Sequence, residues 1–299
     1  MGAAGQLVGL QVQSEVTALR IALLVLEALP NARTVRRLIA DRGHEIVLVG
    51  LSNAERPSNG GLTGQLRRHL GRSGTGILPY LAVNFGLPDL LRPLAPFTQA
   101  AAGSADRPET TPIATLCRRL GIRTVKVDDV NGAEMAEALR QAAPDLILTY
   151  HFDQILKPAT IALARLGGIN GHPGLLPRHR GPVPTIHALS DGPDTFGMTL
   201  HKLAAAIDAG AILDQEAVRL PADVTATRAA ILLHEHGRAM LDRLLDTIAA
   251  TGAIPEGRMA DVLPYCPFPD RAMLADLKRR GLRLTDAADL AAAAKLSLR

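Results

Sequence analysis

An α/β fold built on a doubly wound, mostly parallel sheet follows from three features of the sequence. Residues 20–26, Arg-Ile-Ala-Leu-Leu-Val-Leu, form a nearly continuous apolar run of strand length, as expected of a strand covered on both faces. A helical pattern opens at Pro30-Asn31, reaches Asp41 and stops before Gly43, and residues 45–50 supply the next apolar strand. Strand, helix and strand in that order require a right-handed parallel crossover, the opening unit of such a sheet.

The remaining elements follow in order. Residues 1–18 read as a loose arm and 19–254 as the main domain. The first strand-to-helix turn, Glu27-Ala28-Leu29-Pro30-Asn31, contains no glycine, and a backbone nest for phosphate needs the close approach glycine permits. Residues 52–76 are polar, glycine-punctuated and basic, with Arg67, Arg68 and Arg72, and read as an exposed loop with a short helix. Residues 78–97 are the most apolar window. Asn84, Asp89, Arg92 and several prolines interrupt it, which rejects a spanning helix. A hairpin-like insertion, about 78–111 with its connection, is expected to pack on the domain, and a peripheral membrane contact is the alternative. Residues 98–111 read as a mobile connection.

A helix at 112–120 then ends at Gly121, followed by a strand at 123–127, a helix at 133–143 and a buried strand at 145–150. In open α/β sheets ligands gather outside the carboxyl ends of strands, so residues 151–158 should border a site. Residues 184–189 read as helix, 196–201 and 212–218 as strands, and 226–249 as a long amphipathic helix packed on the sheet. Residues 255–299 form a short, helical C-terminal extension with a basic helix at 271–281.

Composition narrows the function classes. The chain has 299 residues, net charge +4, a pI near 9.4 and 47% hydrophobic residues, which excludes a disordered chain. Aromatics make up 3% with no Trp, which argues against a surface that stacks nucleic-acid bases. Two cysteines, Cys117 and Cys266, lie far apart in no metal spacing, which suits a reducing cytoplasm.

The chemistry concentrates at residues 168–181, Gly-Ile-Asn-Gly-His-Pro-Gly-Leu-Leu-Pro-Arg-His-Arg-Gly. Asn170 and His172 stand two apart, so on a strand their side chains emerge on one face. Pro173 and Pro177 forbid a helix and are expected to hold the chain extended. A carboxamide can donate to a carbonyl oxygen, and an imidazole beside it can hold or release a proton. A third group usually fixes such a histidine, and Asp208, 38 residues after Asn170, is the best candidate. His179, His187 and His201 read as supporting or surface residues.

Asn-x-His-Pro-x-Leu-Leu-Pro, then Gly197-Met198-Thr199-Leu200-His201, then Asp208-Ala209-Gly210-Ala211-Ile212-Leu213 resembles the folate-dependent formyltransferases over roughly residues 20 to 220. The resemblance implies 10-formyltetrahydrofolate as formyl donor, an amine as acceptor, no metal, and Asn170, His172 and Asp208 as the catalytic group. It also implies a pterin pocket made by Gln154, Ile155 and Leu156 together with the backbone of Ala205, Ala206 and Ile207. Arg178, Arg180 and Asn31 fall where acceptor contacts are expected. In this family glycinamide ribonucleotide transformylases use a glycine-rich first turn, which this chain lacks. Methionyl-tRNA formyltransferases add a C-terminal β-barrel, for which the tail here is short and helical. The expected acceptor is therefore a small amine or a nucleotide-linked amino sugar, with methionyl-tRNA disfavoured. A hydrolase using water in the amine's place and a catalytically idle binding protein are the other readings.

Overall fold

A computed structural model describes residues 18–56, 60–86 and 111–298. Among them a seven-stranded sheet is built from β1 (Ile21–Val25), β2 (Ile46–Ser52), β3 (Thr124–Val127), β4 (Leu146–Tyr150), β5 (Gly168–His172), β6 (Gly197–Lys202) and β7 (Ile212–Ala217). The order is β3-β2-β1-β4-β5-β6-β7. Neighbours from β3 to β5 run parallel, and β6 pairs antiparallel with both β5 and β7. Every crossover thus delivers the carboxyl ends of β1, β4 and β5 to one edge, where a site is expected.

The pattern of β1 shows why it sits in the centre. Ile21, Leu23 and Val25 enter one apolar layer with α1 (Ala32–Arg42), α4 (Ile113–Arg119) and the carboxyl half of α8 (Ala226–Thr251). Ala22 and Leu24 face the opposite layer, with Met135, Ala138, Leu139 and Ala142 of α5 (Ala133–Ala142). Both faces are dry, so an alternating polar pattern would have left polar groups buried.

The helix expected within residues 52–76 is α2 (Gly61–Ser73), at thirteen residues longer than a short one, and it leads into a 3-10 turn at Gly74–Ile77. Its inward side is mostly polar: Gln65 donates to Ala54 O, and Ser73 Oγ donates to Pro269 O at 2.5 Å. That spacing carries little apolar periodicity to read. The described part of the apolar insertion is also helical, with α3 (Leu78–Leu81) and a π-type turn at Ala82–Gly86 in place of a hairpin. It does pack on the domain: Asn84 Nδ2 donates to Tyr80 O and Thr227 Oγ1, both at 2.8 Å, and Asn84 O accepts from Leu29 N. The arm, the 98–110 part of the connection and the rest of the insertion lie outside the described residues. Among the described residues no helix is long and apolar enough to cross a membrane.

Two short helices, α6 (Pro158–Ile161) and α7 (Pro184–Asp191), flank β5, and α9 (Arg271–Arg279) and α10 (Ala287–Leu298) close the C-terminal extension. Before α9 the chain runs as a strap. Arg258 pairs with Ile212, Cys266 N donates to Arg180 O at 2.7 Å, and His187 Nε2 donates to Pro267 O at 2.8 Å.

Candidate active site

The site grows from the end of β5. In the sheet register Asn170 lies between Thr149 of β4 and His201 of β6. Its neighbour Gly171 is required by packing on the other face, because a Cβ there would fall 2.5 Å from the Tyr150 ring. Tyr150 in turn donates its hydroxyl to His234 O at 2.7 Å and fixes α8 against the strand. An Asn-Gly-His strand end thus presents two polar heads on one face and leaves room for a ring on the other.

After His172 the chain turns at once, and the extended run expected from Pro173 and Pro177 is not formed. Gly174 N donates to His172 O at 2.8 Å, turns continue to His179, and the Leu176–Pro177 bond is cis. The proline-rich spacing excluded a helix correctly, but prolines fit turns as well as extended chain. This turn brings His179 O within 3.2 Å of His172 Nε2. A carbonyl only accepts, so Nε2 carries the proton and Nδ1 is left to face Asp208 Oδ2 at 3.8 Å.

Asp208 sits at φ +47°, a left-handed conformation uncommon for a residue with a Cβ. Gly181 N donates to its Oδ2 at 2.9 Å, and His201 Nε2 lies 3.6 Å from its Oδ1. Burial pushes the Asp208 carboxyl up, but the His172 and His201 rings and the Gly181 N–H outweigh it and hold it down at about 2. His172 moves the other way. Burial lowers its proton affinity by more than Asp208 raises it, so the resting ring is neutral, contrary to the cationic form a facing carboxylate would favour alone.

Asn170, His172 and Asp208 therefore converge, and the site includes a fourth member. His201 is buried at 2% exposure, and its Nε2 is 3.0 Å from Asn170 Nδ2. Sequence pattern alone assigns it a supporting or surface place, and the structure corrects that. The available signal was the alternation Thr199, His201, which on a strand paired to β5 faces the Asn170 side.

Of the two loops expected around a pterin, residues 154–156 follow β4 and residues 205–207 directly precede Asp208. Gln154 staples its loop to the sheet edge: Oε1 accepts from Val130 N, and Nε2 donates to Val127 O and Ser52 Oγ, each at 2.9 Å. Asn131 Nδ2 donates to Ile155 O at 2.9 Å, and Arg56 Nη1 holds Asp153 at 2.7 Å. Ile155 is 57% exposed, whereas Leu156 is buried in the layer under α5, so its side chain is core. Across the site Ala205 and Ala206 are exposed and Ile207 is half-buried.

Two residues expected at the acceptor are turned away from open space. Arg180 is buried, its Nε and Nη2 donate to Ile207 O and its Nη1 donates to Leu263 O at 2.5 Å, so it ties the Asp208 loop to the strap. Asn31 is fully buried: Oδ1 accepts from Ala28 N and Nδ2 donates to Leu26 O, which shapes the glycine-free first turn. The partners of Arg180 lie 27 and 83 residues away and leave no local sequence signal, whereas Ala28 and Leu26 lie in or beside the turn that holds Asn31. Arg178 is exposed. Among the described residues no group of His, Cys, Asp and Glu side chains is arranged to hold a metal ion.

A mostly parallel sheet whose carboxyl edge gathers a carboxamide, two imidazoles and a carboxylate is an α/β arrangement suited to acid–base chemistry on a bound carbonyl. Residues 99–245 match the family model described as formyl transferase. The methionyl-tRNA formyltransferase of Halorhodospira halophila is 34% identical over 177 residues, which is 58% of this chain and 57% of that protein. The chain spans about half the length of the curated relatives it matches. Among solved structures, glycinamide ribonucleotide transformylase 1 of Symbiobacterium toebii superposes with a TM-score of 0.53 at 18% identity, covering 81% of this chain and 94% of that one. An N-formyltransferase of Helicobacter canadensis, in complex with folinic acid and dTDP-3-aminofucose, gives 0.51 at 12% identity over 84% and 71%. Residues 99–245 thus carry a formyl transferase domain.

Proposed function

We propose that this protein transfers a formyl group from 10-formyltetrahydrofolate to a primary amine. The observation that carries the reading is the convergence of Asn170, His172 and Asp208 at the end of β5, with Nδ1 of the imidazole 3.8 Å from the carboxylate. Asn170 Nδ2 has two N–H bonds. One points at His201, which leaves the other to meet negative charge growing on a formyl oxygen, and one such donor stabilises a transition state by about 3 kcal/mol.

His172 then takes up the proton that an attacking amine must lose. Its Nε2–H is committed to His179 O, so the proton enters at Nδ1, beside a carboxylate that stays ionised. The same proton passes to the departing folate nitrogen, and the atoms balance as a formamide and tetrahydrofolate. The small side chains of Ala205 and Ala206 leave their backbone accessible to a flat ring, and the backbone of Gln154, Ile155 and Leu156 faces it from the other loop. Arg178, exposed beside the turn, is available to an anionic acceptor. Asn31 and Arg180 would position the first turn and the Asp208 loop.

A small amine or a nucleotide-linked amino sugar is the first choice of acceptor. Methionyl-tRNA is the second, favoured by the relatives of that name at 34–36% identity. The chain is to be incubated with 10-formyltetrahydrofolate alone, with an amine metabolite extract, and with methionyl-tRNA. Donor loss that depends on an acceptor is expected. Loss without acceptor would make the protein a hydrolase, and no loss in any arm would leave it a binding protein of the same fold.

A further inference from the structure

We infer that Thr149 fixes the orientation of the Asn170 carboxamide and is thereby a positioning residue for formyl transfer, an inference that rests on the reaction proposed above. The strand register aligns Thr149, Asn170 and His201 as one row across β4, β5 and β6. His201 Nδ1 lies 2.9 Å from Lys202 O, and a carbonyl can only accept, so Nδ1 carries a proton and Nε2 of that tautomer presents a lone pair. That lone pair is 3.0 Å from Asn170 Nδ2, which must donate to it. The amide oxygen then points the other way, 2.8 Å from Thr149 Oγ1, and the hydroxyl must donate.

The row has a direction, and one amide orientation satisfies every member. Rotating the carboxamide by half a turn would set its oxygen against the imidazole lone pair and remove the N–H aimed at the reacting oxygen. Imidazole and hydroxyl guard opposite ends of the same amide. Thr149 is only 3% exposed and its hydroxyl meets the Asn170 amide oxygen, so it acts through that residue. The competing acceptor for its hydroxyl, Ile169 O, is farther away at 3.4 Å.

Thr149→Val keeps the branched shape and deletes the donor. With an amine extract as acceptor, the transfer rate at saturating 10-formyltetrahydrofolate should fall about tenfold, the cost of one buried hydrogen bond. The KM for the donor should stay within about twofold, because the hydroxyl touches no substrate. Thr149→Ser, which retains the hydroxyl, should restore most of the rate. In an Asn170→Ala background the same change should cost nothing further, which a merely structural role for Thr149 would not produce. A second readout needs no turnover: in protein carrying 15N-asparagine, the Asn170 side-chain amide signals, identified by their loss in Asn170→Ala, should shift or broaden in Thr149→Val. Unchanged amide signals, or a valine variant as fast as the parent, would overturn the inference. Altered amide signals in a protein that transfers no formyl group would uphold the orientation and refute the proposed reaction.

Discussion

Asp208 holds its carboxylate between two imidazoles from a left-handed backbone that few aspartates adopt, at φ +47°. Such a conformation costs of the order of 1 kcal/mol and persists where surrounding contacts impose it. Here the contacts are Gly181 N on the carboxylate and Arg180 on the preceding carbonyl. Asn170 depends on its environment in the same way, because only its N–H end can face a developing oxyanion. Asn170→Asp tests this with almost no change of shape. It replaces the donor by an anion that repels the growing charge, so kcat should fall at least a hundredfold while melting temperature changes little. A kcat within about tenfold of the parent would remove the carboxamide from the mechanism.

At the scale of elements, the sheet edge does the positioning and the helices hold the edge. Helix α8 is capped by Thr225, whose hydroxyl accepts from Arg228 N at 2.9 Å and donates to the buried Asp289 at 2.6 Å. One side chain therefore starts the longest helix and ties it to α10. Thr225→Ala should destabilise the protein by about 1–2 kcal/mol, read from the urea midpoint, without changing the KM for the donor. Much of this layer was legible in the sequence. Apolar runs and glycine stops placed β1, α1, β4 and α8 to within a few residues, because burial on both faces leaves a continuous pattern. What stayed illegible were side chains satisfied by distant backbone: Arg180 on Ile207 O, Gln154 on Val127 O and, at 3.4 Å, Asn31 on Tyr150 O. The two-residue spacing of Asn170 and His172 announced the site, but the row through Thr149 and His201 needed the strand register, which local pattern does not fix.

At the scale of the whole molecule, two further imidazoles, His151 and His234, pack against one another. His234 is fully buried in α8, its ring 5.3 Å from that of His151, and its Nδ1 donates to Ala230 O. Burial lowers His151 from 6.5 to about 4, and burial together with the neighbouring His151 lowers His234 to about 3. As pH falls through 6.5 the unfolded chain takes up these protons before the folded one does. Their contribution to stability is complete above the unfolded value and is lost as pH drops toward 4 and then 3. Each differing proton adds a slope of about 1.4 kcal/mol per pH unit. The urea midpoint should therefore decline steadily between pH 6.5 and 4, and His234→Leu should make that decline shallower. Equal slopes in parent and variant would show that His234 is not the source.

These scales meet in one claim, that a carboxamide, a neutral imidazole and an ionised carboxylate cooperate on one formyl group. The most direct measurement is the initial rate of acceptor-dependent 10-formyltetrahydrofolate consumption by the parent and by Asp208→Asn, side by side at saturating amine extract. Turnover by the parent and a loss of at least a hundredfold in the variant are expected, because a proton arriving at His172 Nδ1 would no longer meet a negative charge. Equal rates in the two proteins would contradict that claim.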